Sequence, residues 1–296
     1  MRKVVLIGLV GIVAQFIDGS LGMAYGATTA TLLLAVGLAP ALASTITHLA
    51  EIGTTLAAGI SHQHFGNVDW RALRWLVIPG AFGAFLGAYV LSNIDGEVAR
   101  PWMAGFLCLL GLYILVRYAT EKEKELLVGR RLSAKFLLPL GLFAGFIDAA
   151  GGGGWGPVGT SSLLASRRIE PRKAVGTIDT SEFLIAIAAS AGFLVGLGRE
   201  GIPWDLVIAL LIGGVIAAPI AAWLVRMLHP RILGTAAGGL VAVTNIRTAL
   251  KALGVDDGVN NGLIIILASA WLIMLAVAIR RIRIDRARQR HRPAAA

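Results

Sequence analysis

Charge is scarce in this chain. Only 15% of its 296 residues are Asp, Glu, Lys or Arg, while 56% are hydrophobic and the mean hydropathy is +0.76. A soluble domain carries about a quarter charged residues, so a water-exposed globule of this composition would lack the polar surface to coat itself. Cysteine is nearly absent. Cys108 stands alone inside an apolar run, which excludes a disulfide framework and a cysteine-based metal site and reads as a small buried hydrophobe. The small-x-small cleavage pattern of a secretory signal does not follow Met1-Arg2-Lys3 and the apolar residues 4–14, so this segment reads as retained structure.

What is present in abundance is apolar chain of bilayer length. Residues 72–91, 102–116, 204–225 and 263–279 are examples, and about 20 such residues cross a hydrocarbon layer of about 30 Å. So many runs in one short chain imply that the solvent is lipid. The net charge of +10 raises nucleic-acid binding, but its distribution opposes that reading. Seven of the 27 basic residues are Arg280, Arg281, Arg283, Arg286, Arg288, Arg290 and Arg292, directly after the last apolar run. A basic cluster in that position marks a cytoplasmic end and attracts acidic headgroups, and no soluble nucleic-acid module is visible.

The chain repeats itself. Phe16-Ile17-Asp18 returns as Phe146-Ile147-Asp148, and in that register Gly22 meets Gly152, Tyr25 meets Trp155 and Gly26 meets Gly156. One residue later Pro40 pairs with Pro171, Ala43 with Ala174, His48 with Asp179 and Glu51 with Glu182. Further on, Trp70 aligns with Trp204, Gly80 with Gly214 and Tyr89 with Trp223. The order of the series, not any one pair, indicates a duplication.

The expected architecture is therefore an all-α integral membrane protein of two repeats, residues 1–120 and 133–254. A charged linker at 121–132 joins them, and an extra C-terminal helix (255–280) and a basic tail (281–296) follow. The apolar segments fall at 3–17, 21–38, 43–61, 72–92 and 101–118, then at 133–147, 155–166, 174–197, 204–226 and 231–253, with 261–280 unpaired. Each repeat is then a Gly-broken helical hairpin plus three spanning helices. Placing the linker in the cytoplasm and inverting the second repeat puts 21 of the 27 basic residues on the cytoplasmic side, as the positive-inside rule requires. The loop at 37–43 is uncharged, whereas its counterpart at 167–173 holds four basic residues, the opposite bias that inverted-topology repeats show. Arg2 and Lys3 on the outer side fit this arrangement poorly.

The hairpins locate the chemistry. Segment 3–17 spans about 22 Å as a helix and stops at Asp18-Gly19-Ser20-Leu21-Gly22; its counterpart stops at Asp148, before the glycines 151–154. Each glycine costs about 1 kcal/mol in a helix interior. Broken backbone at that depth must line a cavity or be buried in protein, and matched breaks in two halves point to a transporter's substrate site. Helices restarting there aim free N–H groups at the cavity, which favours an anion. The candidate substrate residues are Ser20, Tyr25, Thr28 and Thr29 in one half and Gly153, Gly154, Trp155, Thr160 and Ser161 in the other. Tyr25 and Trp155 either wall the pocket or are packing aromatics. The third segments bring His48 and Glu51, at i and i+3 on one helix face, and Asp179 and Glu182 at the same spacing. An intramembrane carboxylate costs about 2.5–3.5 kcal/mol, so these are candidates for proton coupling or for structural hydrogen bonds. Asp18 and Asp148 are candidates for coupling or gating, or for capping the helices that follow. Arg117 and Arg247 also align and read as residues that snorkel to an interface.

Duplicated Gly-rich hairpins after Phe-Ile-Asp, then Pro-x-x-Ala and a polar helix ending in Glu, resemble the TauE/SafE sulfite-exporter family through about residue 280. The resemblance implies a multi-pass transporter of the cytoplasmic membrane carrying sulfite, sulfoacetate or a related anion, often as an exporter. No cofactor or resident metal is implied, and a homodimer is left open. The longer glycine run of the second half means the two hairpins need not bind alike. An ungated anion channel is the main rival reading. An intramembrane enzyme would need His48, Glu51, His62 and His64 as metal ligands, but His62 and His64 adjoin the Phe65-Gly66-Asn67 loop, where solvated histidines are ordinary.

Overall fold

The computed structural model describes residues 2–21, 24–120, 132–198, 202–224 and 230–290. Their regular structure is helical throughout, with no strand among them. The first half holds α1 (Arg2–Leu21), α2 (Tyr25–Ala35), α3 (Pro40–His64), α4 (Trp70–Ser92) and α5 (Gly96–Thr120). The second holds α6 (Ala134–Gly151), a π-helical turn (Trp155–Thr160) leading into α7 (Ser161–Ser166), α8 (Pro171–Leu197), α9 (Trp204–Leu224) and α10 (Pro230–Ala252). α11 (Asp257–Arg290) follows. Its backbone stays helical about ten residues past the expected end at 280. The linker residues 121–131 lie outside the described residues, as do Gly22 and the end of the tail, 291–296.

Among the described residues, five helices are long and apolar enough to cross a membrane: Trp70–Ser92, Gly96–Thr120, Ala134–Gly151, Arg172–Leu197 and Asp257–Ile282. The polarity is that of a lipid-solvated protein. Large apolar side chains face outward, with Ile78 at 74% exposure and Leu109 at 69%, while Thr28, Thr45, Thr47, His48, Thr160 and Ser181 are completely buried. α11 is the most outward-facing of the five spans, and Trp271 anchors it by donating from Nε1 to the Thr235 carbonyl at 2.9 Å.

The sequence register recurs in the packing. α1 lies along α9 and α6 along α4, while α3 crosses α8 and α5 lies on α10. Exchanging the halves maps this arrangement onto itself. The glycines make it possible. A Cβ on Gly11 would stand 2.4 Å from the Leu210 carbonyl oxygen, and one on Gly141 the same 2.4 Å from that of Leu76; Gly11 aligns with Gly141 and Leu76 with Leu210. Likewise Gly80 abuts Trp155 and Ile185, and Gly214 abuts the equivalent Tyr25 and Thr54. Small residues let helices approach backbone to backbone, and here they do so at matched positions.

The helix breaks come later than expected. α1 continues through Asp18, Gly19 and Ser20 to Leu21, and α6 through Asp148 to Gly151. Gly151 stays helical because the Phe106 ring lies across it, 2.4 Å from where a Cβ would be, and packing there outweighs glycine's poor helix propensity. The turn is made by Gly152 and Gly153, at φ 78° and 149°, and in the first half Ala24 at φ 91° precedes α2.

Candidate functional site

Each break is closed by the aspartate one turn before it. Asp148 Oδ1 accepts from the amides of Gly154 at 2.7 Å and Trp155 at 2.8 Å. Asp18 Oδ1 accepts from the amide of Tyr25 at 3.2 Å. The two aspartates therefore cap the returning helices, one of the two roles open to them. The same bonds occupy the amides expected to face an anion. Broken backbone at depth is here satisfied by protein.

The hairpins touch. A Cβ on Gly153 would lie 2.2 Å from the Ala27 nitrogen, and one on Gly26 would lie 3.1 Å from Gly153 Cα and 3.3 Å from a carboxylate oxygen of Glu51. The hollow expected directly between the breaks is thus a backbone contact, with Glu51 at its edge. A cavity of about 150 Å³ lies elsewhere, between Thr120 on α5 and Ile273, Val277 and Arg281 on α11.

Around the contact lies a buried polar cluster. His48 Nδ1 is 2.8 Å from Glu51 Oε2, as their spacing predicts, and 3.9 Å from Asp148 Oδ2. His48 Nε2 and Asp148 Oδ2 have no hydrogen-bond partner. In the second half Asp179 pairs with His62 of α3 at 3.1 Å, Nε2 to Oδ2. Glu182, 9% exposed, is a further buried carboxylate three residues after Asp179 on α8. Carboxylates crowded away from water repel one another unless protons or cations accompany them. Among the described residues, no three His, Cys, Asp or Glu side chains are grouped to hold a metal.

The hydroxyls divide into two groups. Thr28 and Thr160 are fully buried and their hydroxyls make no hydrogen bond, while the buried hydroxyls of Tyr25 and Thr29, at i and i+4 on α2, adjoin each other. Thr31 accepts from Asn245 Nδ2 at 2.8 Å, and Ser161 accepts from the Arg117 guanidinium. These two contacts are near-equivalents: a polar side chain from the last helix of each repeat reaches the hairpin of the other. Arg117, half-buried near the end of α5, thus also meets a hydroxyl of the other repeat. Trp155 is a packing post, fully buried, its Nε1 shared between Ile178 O at 3.2 Å and Ser181 Oγ at 3.1 Å. Ser20 ends α1 one residue before Leu21, and its side chain lies outside the described residues.

Two members of this cluster were missed in the sequence. Asn245 gives no signal of its own. His62 does: it is 11 residues after Glu51, about three helical turns, and so shares its face. It also aligns with Phe193, which stacks on His48 with ring centroids 6.1 Å apart. The contacts His48–Phe193 and Asp179–His62 are thus equivalent in the two halves, with the chemistry exchanged.

Comparison with known proteins agrees with this architecture. Residues 7–248 match the family model described as "Sulfite exporter TauE/SafE", which leaves α11 outside the match. The chain is 48% identical over 277 residues to the Bacillus subtilis protein described as "Probable membrane transporter protein YtnM", covering 92% of this chain and 91% of that one. It is 28% identical over 240 residues to a second B. subtilis protein, "Probable membrane transporter protein YdhB", covering 80% of this chain and 94% of the relative. A Haemophilus influenzae "Probable membrane transporter protein" is 28% identical over 219 residues, 73% of this chain and 82% of its own. No solved structure matches significantly. With multi-pass helices and a buried polar seam where the hairpins meet, the chain belongs to the TauE/SafE family of membrane transporters and not to a family of enzymes.

Proposed function

We propose that the protein exports a small sulfur oxyanion, such as sulfite or sulfoacetate, from a site at the meeting of the two hairpins near the bilayer midplane. The observation that carries this reading is the pair of buried hydroxyls without partners, Thr28 on one hairpin and Thr160 on the other, with those of Tyr25 and Thr29 beside Thr28 on α2. Buried polar groups normally have partners, and neutral hydroxyls suit an anion that must bind and then leave. Ser161 completes the proposed shell, with Arg117 contributing charge through it, while Gly153, Gly154 and Trp155, whose N–H groups are bonded within the protein, only wall it. The substrate enters when the Gly26–Gly153 contact opens. That closed contact argues against an ungated channel, which needs a continuous path.

Coupling to protons follows from the electrostatics. An anion beside Glu51, Glu182, Asp148 and Asp18 is repelled unless protons reside on some of them. Carriage of the anion therefore brings protons with it, with Glu51 and Glu182 as carriers and His48 and Asp179 as their partners. Repeats 1–120 and 133–254 would have inverted topology and rock against each other around the site, with the linker and C-terminus in the cytoplasm.

Counterflow in proteoliposomes tests the substrate. Vesicles preloaded with unlabelled sulfite or sulfoacetate should transiently accumulate the labelled anion above its external level. Equilibration without overshoot would instead support a channel, and no uptake of either anion would remove the substrate assignment.

A further inference from the structure

The first hairpin holds a further buried polar side chain. Gln15, on α1 one turn before the capping Asp18, is 8% exposed, and among the described residues its Oε1 has no hydrogen-bond partner. Gly214 of α9 defines its surroundings. A Cβ there would stand 3.0 Å from Thr54 Cγ2, 3.4 Å from the Tyr25 hydroxyl oxygen and 3.6 Å from Gln15 Oε1. Side chains from α1, α2 and α3 thus converge on the bare backbone of α9. Two of them present polar atoms to it, and the Tyr25 hydroxyl also adjoins that of Thr29.

The duplication supplies a comparison within the same chain. In the sequence register Gln15, Tyr25, Thr54 and Gly214 correspond to Gly145, Trp155, Ile185 and Gly80. The second half fills the place with apolar atoms. A Cβ on Gly80 would lie 2.6 Å from the Trp155 ring and 2.9 Å from Ile185 Cδ1. The one polar atom of that ring, Nε1, is bonded to Ile178 O and Ser181 Oγ. The fold can therefore close this place without a carboxamide, a phenol or a threonine, yet the first half has all three and packs them less tightly. Leaving a buried polar group unpaired costs about 1–3 kcal/mol, and a native fold rarely keeps one without a use.

We propose that Gln15, with the Tyr25 hydroxyl, forms a neutral subsite for an oxygen of the transported anion, on the first-half side of the site and not on the second. The proposal rests on the anion-transport reading above. A carboxamide carries two N–H donors and one acceptor oxygen, and a half-turn of its terminal torsion exchanges their places. Gln15 can therefore offer an N–H to an anion oxygen at the point where Oε1 lies beside Gly214, while Tyr25 offers its O–H. Neither donor is charged, so the anion is held by hydrogen bonds and not trapped by a fixed cation. Asp18, at i+3 from Gln15 on the same face of α1, accepts from the Tyr25 amide at 3.2 Å. The cap thereby holds Tyr25 in place for the subsite.

The test uses the full-length protein in proteoliposomes, with counterflow of labelled sulfite and sulfoacetate, and thermal unfolding in detergent as a second readout. Gln15→Leu removes the carboxamide at nearly constant volume. It should melt at or above the wild-type temperature and raise KM roughly tenfold, one hydrogen bond's share of anion binding, with the maximal rate kept. Gly214→Ala leaves Gln15 intact and narrows the same place with a methyl group, so it should raise KM as well. A wild-type KM in Gln15→Leu overturns the subsite. So does a marked loss of stability, which would make the amide a structural bond. In either case counterflow by the wild type leaves the transport reading standing. Failure of the wild type to carry either anion would remove that reading, and the subsite with it.

Discussion

Asp148 binds two amides at under 3 Å, and Asp18 binds one at 3.2 Å. A hydrogen bond within the protein contributes about 0.5–1.5 kcal/mol net. Asp148→Ala should therefore destabilise the detergent-solubilised protein by roughly 2 kcal/mol and Asp18→Ala by roughly half that. Asp148→Asn, which keeps one acceptor, should fall between wild type and Asp148→Ala. Thermal unfolding would check the order, and equal losses at Asp18 and Asp148 would mean that the caps do not set stability. At this scale the sequence was informative where spacing is local. His48 and Glu51 were legible because i and i+3 fix a shared face, and the aspartates because a carboxylate before a glycine break has an amide to cap. His62 was not, because its neighbours Phe65, Gly66 and Asn67 describe a solvated turn and its partner is 117 residues away. The Arg117 contact was illegible for the same reason: Ser161 comes from the other repeat.

The helices pack through glycine. Gly11 and Gly141 occupy equivalent places, each against a carbonyl of the neighbouring helix. Alanine at either position must push apart two backbones, at an expected cost of about 1–3 kcal/mol, and the two losses should be similar. Gly105 in α5 has nothing within 4 Å of its Cβ position. Gly105→Ala should be neutral or stabilise by up to about 1 kcal/mol through helix propensity. Melting curves of the three variants would show whether close approach, and not glycine content as such, is what the fold uses. The number and order of the helices were legible from hydropathy and repetition. The ends of α1 and α6 were not. Glycine propensity placed the breaks at Asp18 and Asp148, whereas packing of Phe106 over Gly151 carries α6 three residues further.

Across the whole molecule, the same register that links the halves in sequence links their contacts, and the polar seam lies where the two hairpins meet. The expectation of a hollow directly between the breaks gave way to a backbone contact, because Asp18 and Asp148 satisfy the exposed amides from within. If Glu51 and Glu182 carry protons, Glu51→Gln and Glu182→Gln should flatten the dependence of flux on the pH gradient while leaving exchange intact. Unchanged pH dependence in both would leave the acids a structural role.

The central claim is that the unpartnered hydroxyls serve a ligand and not the fold. Thr28→Val and Thr160→Val test it with two readouts, thermal stability and the KM for the transported anion, using Thr47→Val as a reference because that hydroxyl bonds the Ala43 carbonyl at 2.9 Å. The account predicts unchanged or higher stability for Thr28→Val and Thr160→Val together with a KM raised roughly tenfold, the worth of one hydrogen bond to an anion, and no change in KM for Thr47→Val. A KM left at the wild-type value in both hairpin variants would contradict it.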